Sequence, residues 1–339
     1  MLLANIPRRK YTPGPTPIEK LDRLTDVLGG PDIFIKRDDM SGLTGGGNKT
    51  RKLEFLMADA IAKGADTIIT SGALQSNHCR LTLAAAVKEG LKCRLVLEEG
   101  ADTAYDPNAN GNNFLYKLLG AEEITVVNNG SDLQAEMEAL SEKLRESGRN
   151  PYVIPVGGSN ELGTVGYVAC AQEIVQQLFE QRLVMDHIVV ASGSGGTQAG
   201  LIVGLHGNHA PIQVTGINVS RSNELQIPKI YQLAQDTAKF LNVPADIPGE
   251  SVQCNDQFVG GGYTVPTEGM IEAVQMLART EGILLDAVYT GKVMAGLIEL
   301  IRNGTFKKDE NVLFLHTGGS PSLYANHTLF NEDLFVLQD

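Results

Sequence analysis

His187-Ile-Val-Val-Ala-Ser-Gly-Ser-Gly-Gly-Thr197 decides the fold, and an apolar helix-like pattern beginning at Gln198 follows it at once. A β-branched run of strand length breaks at a glycine-rich turn and resumes with helical periodicity, the pattern of a strand feeding a crossover helix. Successive N–H groups in such a turn can converge on one anion, with the Ser194 and Thr197 hydroxyls adding donors. A phosphate therefore suits the segment 192–197, although a plain tight turn has the same letters. A dinucleotide fingerprint fails, because G-x-G-x-x-G needs glycine where Gln198 stands, and Gly200 comes two residues late.

Working outward, strands at 66–70, 93–97 and 124–127 alternate with helices at 81–89, 112–119 and 133–146. After Gly157-Gly158 a second series runs through a helix at 162–180, the strand 187–191, the helix from Gln198 and a strand at 213–217. An irregular stretch at 244–262 precedes helices at 268–280 and 292–302 and a strand at 312–316. This spacing predicts right-handed crossovers and an α/β fold with parallel sheets flanked by helices. At 339 residues the chain exceeds what one core usually supports, so two sheet domains are expected, with ligands in the cleft beyond the carboxyl ends of the strands.

The net charge of −12 repels phosphate backbones, and no basic stripe offsets it, so nucleic acid is excluded as a partner. No apolar run approaches ~18 residues, which argues against a membrane span, and residues 1–10 lack the apolar core of a secretory leader. A cytoplasmic protein is expected. Cys79, Cys93, Cys170 and Cys254 form no C-x-x-C pair and read as reduced thiols. His206-x-x-His209 has ligand-like spacing but no cysteine or carboxylate nearby, so a polar loop accounts for it and no metal is expected.

Three further clusters can carry chemistry. Lys36-Arg-Asp-Asp39 leads into Gly45-Gly-Gly-Asn-Lys-Thr-Arg-Lys52, a strand end, a glycine turn and a helix start. Lys49 there is either a solvated first-turn lysine or an amine made nucleophilic by burial and by the neighbouring Arg51 and Lys52. A nucleotide P-loop fails, since Asn48 separates Gly47 from Lys49, and a kinase-like transferase loses its warrant with it. Gly72-Ala-Leu-Gln-Ser-Asn-His78 opens a helix after a strand; its free N–H groups suit a carboxylate, and Ser76 and Asn77 also read as N-caps. Tyr263 after Gly260–Gly262, Tyr289-Thr-Gly-Lys292 and His316-Thr-Gly-Gly319 place hydroxyls beside glycine turns, as proton shuttles, ring-nitrogen partners or packing residues.

Together these segments resemble the fold type II pyridoxal-phosphate enzymes, the tryptophan synthase β-like architecture. Within it the chain is similar to the 1-aminocyclopropane-1-carboxylate deaminase / D-cysteine desulfhydrase family, over about residues 13–322. The carriers are Ile35-Lys-Arg-Asp-Asp39, Gly46-Gly-Asn-Lys-Thr-Arg-Lys-Leu-Glu54, Gln75-Ser-Asn-His78, Ile154-Pro-Val-Gly-Gly-Ser-Asn160, Tyr289-Thr-Gly-Lys292 and His316-Thr-Gly-Gly319. The resemblance implies pyridoxal 5′-phosphate as cofactor and Lys49 as the Schiff-base lysine. Asn77 would hold the ring O3′, and Ser192, Gly193, Ser194, Gly195, Gly196 and Thr197 the phosphate. Ser76, with Gln75, Asn77 and His78, would take the carboxylate of a small amino acid, while Tyr263 and Tyr289 line the site. It also implies a homodimer, with a smaller domain (residues 50–155) inserted into a larger one (1–49 and 156–339).

Inside that family the deaminase pattern has a glutamate after the tyrosine of the Tyr-x-Gly-Lys turn, and here Thr290 stands there. A carboxylate at the pyridine nitrogen deepens the electron sink, whereas a hydroxyl from Thr290 or Thr317 leaves it shallower. That favours β-elimination from D-cysteine over cyclopropane opening, and Val219-Ser-Arg-Ser222 and Tyr289-Thr-Gly-Lys292 resemble the D-cysteine branch more than the sulfo-lyase. L-cysteate sulfo-lyase and the deaminase are the alternatives, with a non-catalytic anion- or nucleotide-binding protein outside the family.

Overall fold

The structure is a computed structural model that describes residues 3–101, 103–243 and 246–337. Met1 and Leu2 of the segment read for a secretory leader, Pro244 and Ala245 of the stretch read as irregular, Asp102, Gln338 and Asp339 lie outside the described residues.

The chain begins with β1 (Ile18–Lys20), α1 (Asp22–Leu28) and β2 (Asp32–Lys36). Next come α2 (Lys49–Ala62), β3 (Thr67–Ala73), α3 (Asn77–Lys88), β4 (Lys92–Glu98), α4 (Asn112–Leu118), β5 (Glu123–Val127), α5 (Leu133–Glu146) and β6 (Pro151–Val153). These four strands form one all-parallel sheet in the order β5-β4-β3-β6. The chain continues through α6 (Glu161–Gln181), β7 (His187–Ser192), α7 (Gly196–Gly207), β8 (Gln213–Asn218), α8 (Asn223–Phe240) and β9 (Gln253–Asn255). It ends with α9 (Glu268–Glu281), α10 (Thr290–Arg302), β10 (Asn311–Leu315) and α11 (Ser320–Ala325). The second sheet is ordered β1-β2-β10-β7-β8-β9.

Both sheets are covered on both faces, which is why their strands read as unbroken apolar runs. In β7, Ile188 and Val190 point to α6, α7 and α8, while Val189 points to α1, α9 and α10. In the smaller sheet Ile68, Leu95 and Leu97 pack with Leu53, Leu56 and Leu83 of α2 and α3, and Ile69 and Val96 meet Met137 and Leu144 of α5. Gln275 accepts the main-chain N–H groups of Leu334 and Phe335, tying down the C-terminal segment.

The expectation of parallel sheets holds except at β1, which pairs antiparallel with β2. The link over residues 21–31 is shorter than the roughly dozen residues a parallel crossover needs. Helices also start earlier than their periodicity: α3 at Asn77, α7 at Gly196 and α10 at Thr290. Their first turns are polar or glycine-rich, with Ser76 capping α3 and Asp286 bonding the start of α10, and periodicity does not register such turns. The sequence reading assigned nothing to α8, where Pro228 interrupts the helical pattern, and β9 lies within the stretch read as irregular.

One buried ion network joins the layers. Arg51 on α2 donates Nε and Nη2 to the Asp38 carboxylate, each at 2.8 Å, and Nη1 to Glu173 on α6 at 2.9 Å. Lys36 reaches Glu173 at 2.5 Å, and the Tyr167 and Thr16 hydroxyls donate to Asp38 at 2.6 and 2.7 Å. Burial alone would raise the Asp38 carboxyl, but the Arg51 charge outweighs it, helped by Lys36 and Tyr167, and the pKa falls to about 2. A depressed carboxyl stabilises the fold above its unfolded value of ~3.9, and the contribution is lost as pH falls toward 2. Asp38→Asn should therefore cost about 3 kcal/mol in urea unfolding at neutral pH, the low end for a buried pair because Glu173 still holds Arg51. The penalty should shrink below about pH 4; a loss under ~1 kcal/mol at neutral pH would mean the network acts like a surface pair.

Candidate active site

The turn that delivers Lys49 is built from glycine for steric reasons. A Cβ at Gly46, where φ is +62°, would lie 1.7 Å from the Asp39 carbonyl oxygen, and one at Gly47 would lie 2.8 Å from the Asn77 amide nitrogen. The turn hangs from β2 and β10: Gly47 N–H donates to Asp38 O and Asn48 N–H to Thr317 O, both at 3.0 Å. Lys49 is then the first residue of α2, and its Nζ donates to Asn48 Oδ1 at 3.1 Å.

A cavity of about 440 Å³ opens between the carboxyl ends of the two sheets, with Lys49, Asn77, Ser194, Tyr263, Tyr289 and Thr317 in its wall. Burial lowers the Lys49 ammonium to about pKa 8 against the opposing pull of the Asp286 carboxylate, so far more free amine is present near neutrality than for a lysine titrating at ~10.4.

The α3 end supplies donors. Ser76 caps the helix, its Oγ accepting Cys79 N–H at 3.2 Å, and it also lines the cavity, so cap and site readings both hold. Asn77 Oδ1 accepts from the guanidinium of Arg80, which also reaches Gly46 O at 3.1 Å. The amide is thereby oriented with its NH2 group as the free donor. The Thr70 hydroxyl donates to Ile154 O at 2.9 Å, so His78 Nε2, 2.7 Å from Thr70 Oγ1, carries the ring proton and donates it there, and Nδ1 has no partner. Burial and the charges of Lys49 and Lys52 hold His78 neutral. The Gln75 side chain turns away: Nε2 donates to Asn110 O at 2.9 Å, and Oε1 accepts Asn112 N–H at 2.8 Å.

Across the cavity, the glycine turn after β7 presents the N-terminus of α7 and the Thr197 hydroxyl, which accepts from Asn48 Nδ2 at 2.9 Å. Lys52 lies behind the turn, fully buried, donating to Gly157 O at 3.0 Å and Ser159 Oγ at 2.9 Å, and a Cβ at Gly196 would come within 2.8 Å of its Nζ. No carboxylate pairs with Lys52 or Lys229 among the described residues, and burial, Lys49 and Lys229 push the Lys52 pKa well down. Unpaired buried ammonium beside free helix N–H groups is a site for a dianion. Ser192 is not part of it: its Oγ donates to Gln198 Oε1 at 2.6 Å and accepts from Gln226 at 2.9 Å, bracing the turn.

On the third wall the Tyr263 and Tyr289 hydroxyls hydrogen-bond to each other, their rings edge-on with centroids 5.9 Å apart. Burial raises both, Tyr263 to about 12 even with the Tyr289 hydrogen bond pulling it back, so both are neutral phenols. Thr290 does not line the cavity. Its hydroxyl donates to Asp286 Oδ1 at 2.7 Å and accepts Asp286 N–H at 2.9 Å, which corrects its reading as a ring partner; Thr317 is the threonine in the wall. Arg51 likewise points away from Lys49 into the ion network, leaving Lys52 as the nearby cation.

Sequence reasoning missed Asn48, which it treated only as a P-loop breaker, and Asp286, whose position four residues before Thr290 at a helix start is a capping signal. The Asn48–Thr197 bond joins positions too distant in sequence for any local pattern to register.

A crystal structure described as that of an ACC deaminase homologue matches this chain with a TM-score of 0.88 and 39% identity, covering 98% of each chain. The family model for pyridoxal-phosphate dependent enzymes matches residues 10–318, a span that includes the lysine turn, the α3 donors, the dianion site and the tyrosine pair. A low-pKa amine facing a dianion site is what an aldehyde carrying a phosphate requires, and the chain belongs to the pyridoxal-phosphate dependent enzyme family.

Proposed function

We propose that the protein is a carbon–sulfur lyase that converts D-cysteine and one water into pyruvate, hydrogen sulfide and ammonia. The observation that carries this reading is the absence of a free carboxylate at the Tyr289–Thr290 turn. Asp286, the acid there, is already bonded by Val288 N–H, Tyr289 N–H, Thr290 N–H and the Thr290 hydroxyl, at 2.7–2.9 Å. Thr317 then offers the ring nitrogen only a neutral hydroxyl. Cyclopropane opening needs the deeper sink that a carboxylate gives, whereas in β-elimination the departing thiolate takes the electron pair itself. The D configuration rests on the likeness of Val219-Ser-Arg-Ser222 and Tyr289-Thr-Gly-Lys292.

Pyridoxal phosphate held here would supply an electron sink that makes proton loss at Cα easier. In this reading Lys49 anchors it, the Asn77 amide donates to its ring oxygen, and the N–H groups at 193–197 with Thr197 and Lys52 take its phosphate. The Ser76 hydroxyl and the main chain at 76–78 hold the substrate carboxylate. The Lys49 Nζ, when free, would take the Cα proton, for which a pKa near 8 is suited. As the C–S bond breaks, the electron pair leaves with sulfur, and the neutral Tyr263–Tyr289 pair delivers a proton to it. Water then releases ammonia and pyruvate.

The alternative with a specific support is 1-aminocyclopropane-1-carboxylate deamination, because the matched structure is described as a homologue of that deaminase. L-cysteate elimination is the other competitor. The same reading has a cytoplasmic homodimer, in keeping with four cysteines that form no disulfide, and an inserted domain over residues 50–155, in keeping with β3–β6 forming their own sheet.

Lys49→Ala should abolish together the absorbance of lysine-bound cofactor near ~420 nm and all turnover; a variant keeping both would end the proposal. In parallel assays, sulfide and pyruvate release should be greatest from D-cysteine among D-cysteine, L-cysteine, L-cysteate, D-serine and 1-aminocyclopropane-1-carboxylate. Dominant sulfite release from L-cysteate, or dominant ring opening, replaces it with the corresponding competitor. Thr317→Val should lower turnover about tenfold at unchanged stability, while Thr290→Val should instead cost about 1–3 kcal/mol of stability. The reverse pattern would return the ring contact to Thr290.

A further inference from the structure

Lys292 is buried to 0% exposure on α10, and no carboxylate pairs with it among the described residues. Its Nζ donates instead to two main-chain carbonyls, Val259 O at 2.7 Å and Gly262 O at 2.8 Å. A buried ammonium without an anion is costly, so its retention points to a task that an apolar side chain cannot do.

The two carbonyls bracket the glycine segment directly before Tyr263. That loop has little hydrogen bonding of its own: Gly260, Gly262 and Thr264 all have positive φ, and the nearby internal bonds, Val259 N–H to Asp256 O and Val265 N–H to Gly262 O, are 3.2 and 3.3 Å. Tyr289 precedes Lys292 by three residues, at the start of the same helix. The ammonium therefore ties the loop bearing one phenol to the helix bearing the other, and the phenol–phenol hydrogen bond sits at the far end of that tie.

We propose that Lys292 is a positioning residue that sets the spacing of the Tyr263–Tyr289 pair by clamping the 259–262 loop to α10. This rests on the reading that the pair serves the reaction. The loop keeps a second, apolar anchor, since Phe258 packs where a Cβ at Gly296 would lie 3.1 Å from its ring, so the loop stays attached when the ammonium is removed.

The test uses holoenzyme carrying Lys292→Met, alone and combined with Tyr263→Phe. Amide exchange at residues 259–264 should accelerate at least about tenfold, while cofactor absorbance is kept. The kcat for the best substrate should fall roughly ten- to a hundredfold with KM changed far less, and in the Tyr263→Phe background Lys292→Met should cost under about threefold. Unchanged exchange, or the same kcat penalty in both backgrounds, overturns the clamp. A Tyr263→Phe enzyme with full turnover overturns the tyrosine reading beneath it, whatever the exchange data give.

Discussion

The bond between Asp38 and Arg51 closes the chain between them into a loop, and that loop carries Lys49. Asp38 follows a strand of the larger sheet, Arg51 lies on a helix packed against the smaller one, and Glu173 on α6 holds the guanidinium from a third side. Within the closed loop the glycine turn is pinned again by Asp38 O, by Thr317 O after β10 and by Thr197 after β7. The position of one amine is thus fixed from the ends of three neighbouring strands of the same sheet. Burial adds little to stability through such a network, because apolar residues of equal volume would pack about as well. What apolar residues would not supply is direction, since a guanidinium fork bound to two carboxylates tolerates little rotation.

The same constraint accounts for the chemistry next to it. Lys49 and Lys52 lie three apart at the start of α2, so both face the glycine turn after β7, whereas Arg51 between them faces the ion network. The three basic side chains of the first turn are sorted by helical geometry into one structural cation, Arg51, and two, Lys49 and Lys52, on the side of the glycine turn. Burial depresses both ammonium groups, and the charges of Lys49 and Lys229 lower Lys52 further. A phosphate dianion held beside Lys52 would relieve the repulsion that Lys49 and Lys229 exert on it.

Much of the scaffold was legible in the sequence, because β-branched runs and amphipathic segments report burial directly; the strand 187–191 and the helix 133–146 lie where their periodicity puts them. Helix starts were less legible, since Asn77 and Thr290 enter their helices through side-chain caps and Gly196 through a glycine turn. In the site, the residues beside glycine turns were legible because those turns need unusual backbone angles. Side-chain direction was not: Gln75, Ser192 and Thr290 sit in the expected segments and point elsewhere, each satisfying main-chain or carboxylate groups that local sequence does not reveal. Asn48 and Lys52 show the converse, becoming site residues through partners more than a hundred positions away.

Thr290 carries the consequence furthest. A helix start leaves main-chain N–H groups without partners, and at α10 those of Val288, Tyr289 and Thr290 converge on Asp286. The threonine hydroxyl completes the cap, so the Asp286 carboxylate is hydrogen-bonded by its own helix, and through space it raises Lys49, Tyr263 and Tyr289 in the cavity wall. A glutamate at position 290 would place a second carboxylate against Asp286, and the repulsion would drive its side chain out toward the cavity. A neutral residue at this cap therefore leaves Asp286 bonded to its own helix, and the proposed preference for a substrate whose sulfur carries the electrons away rests on that arrangement.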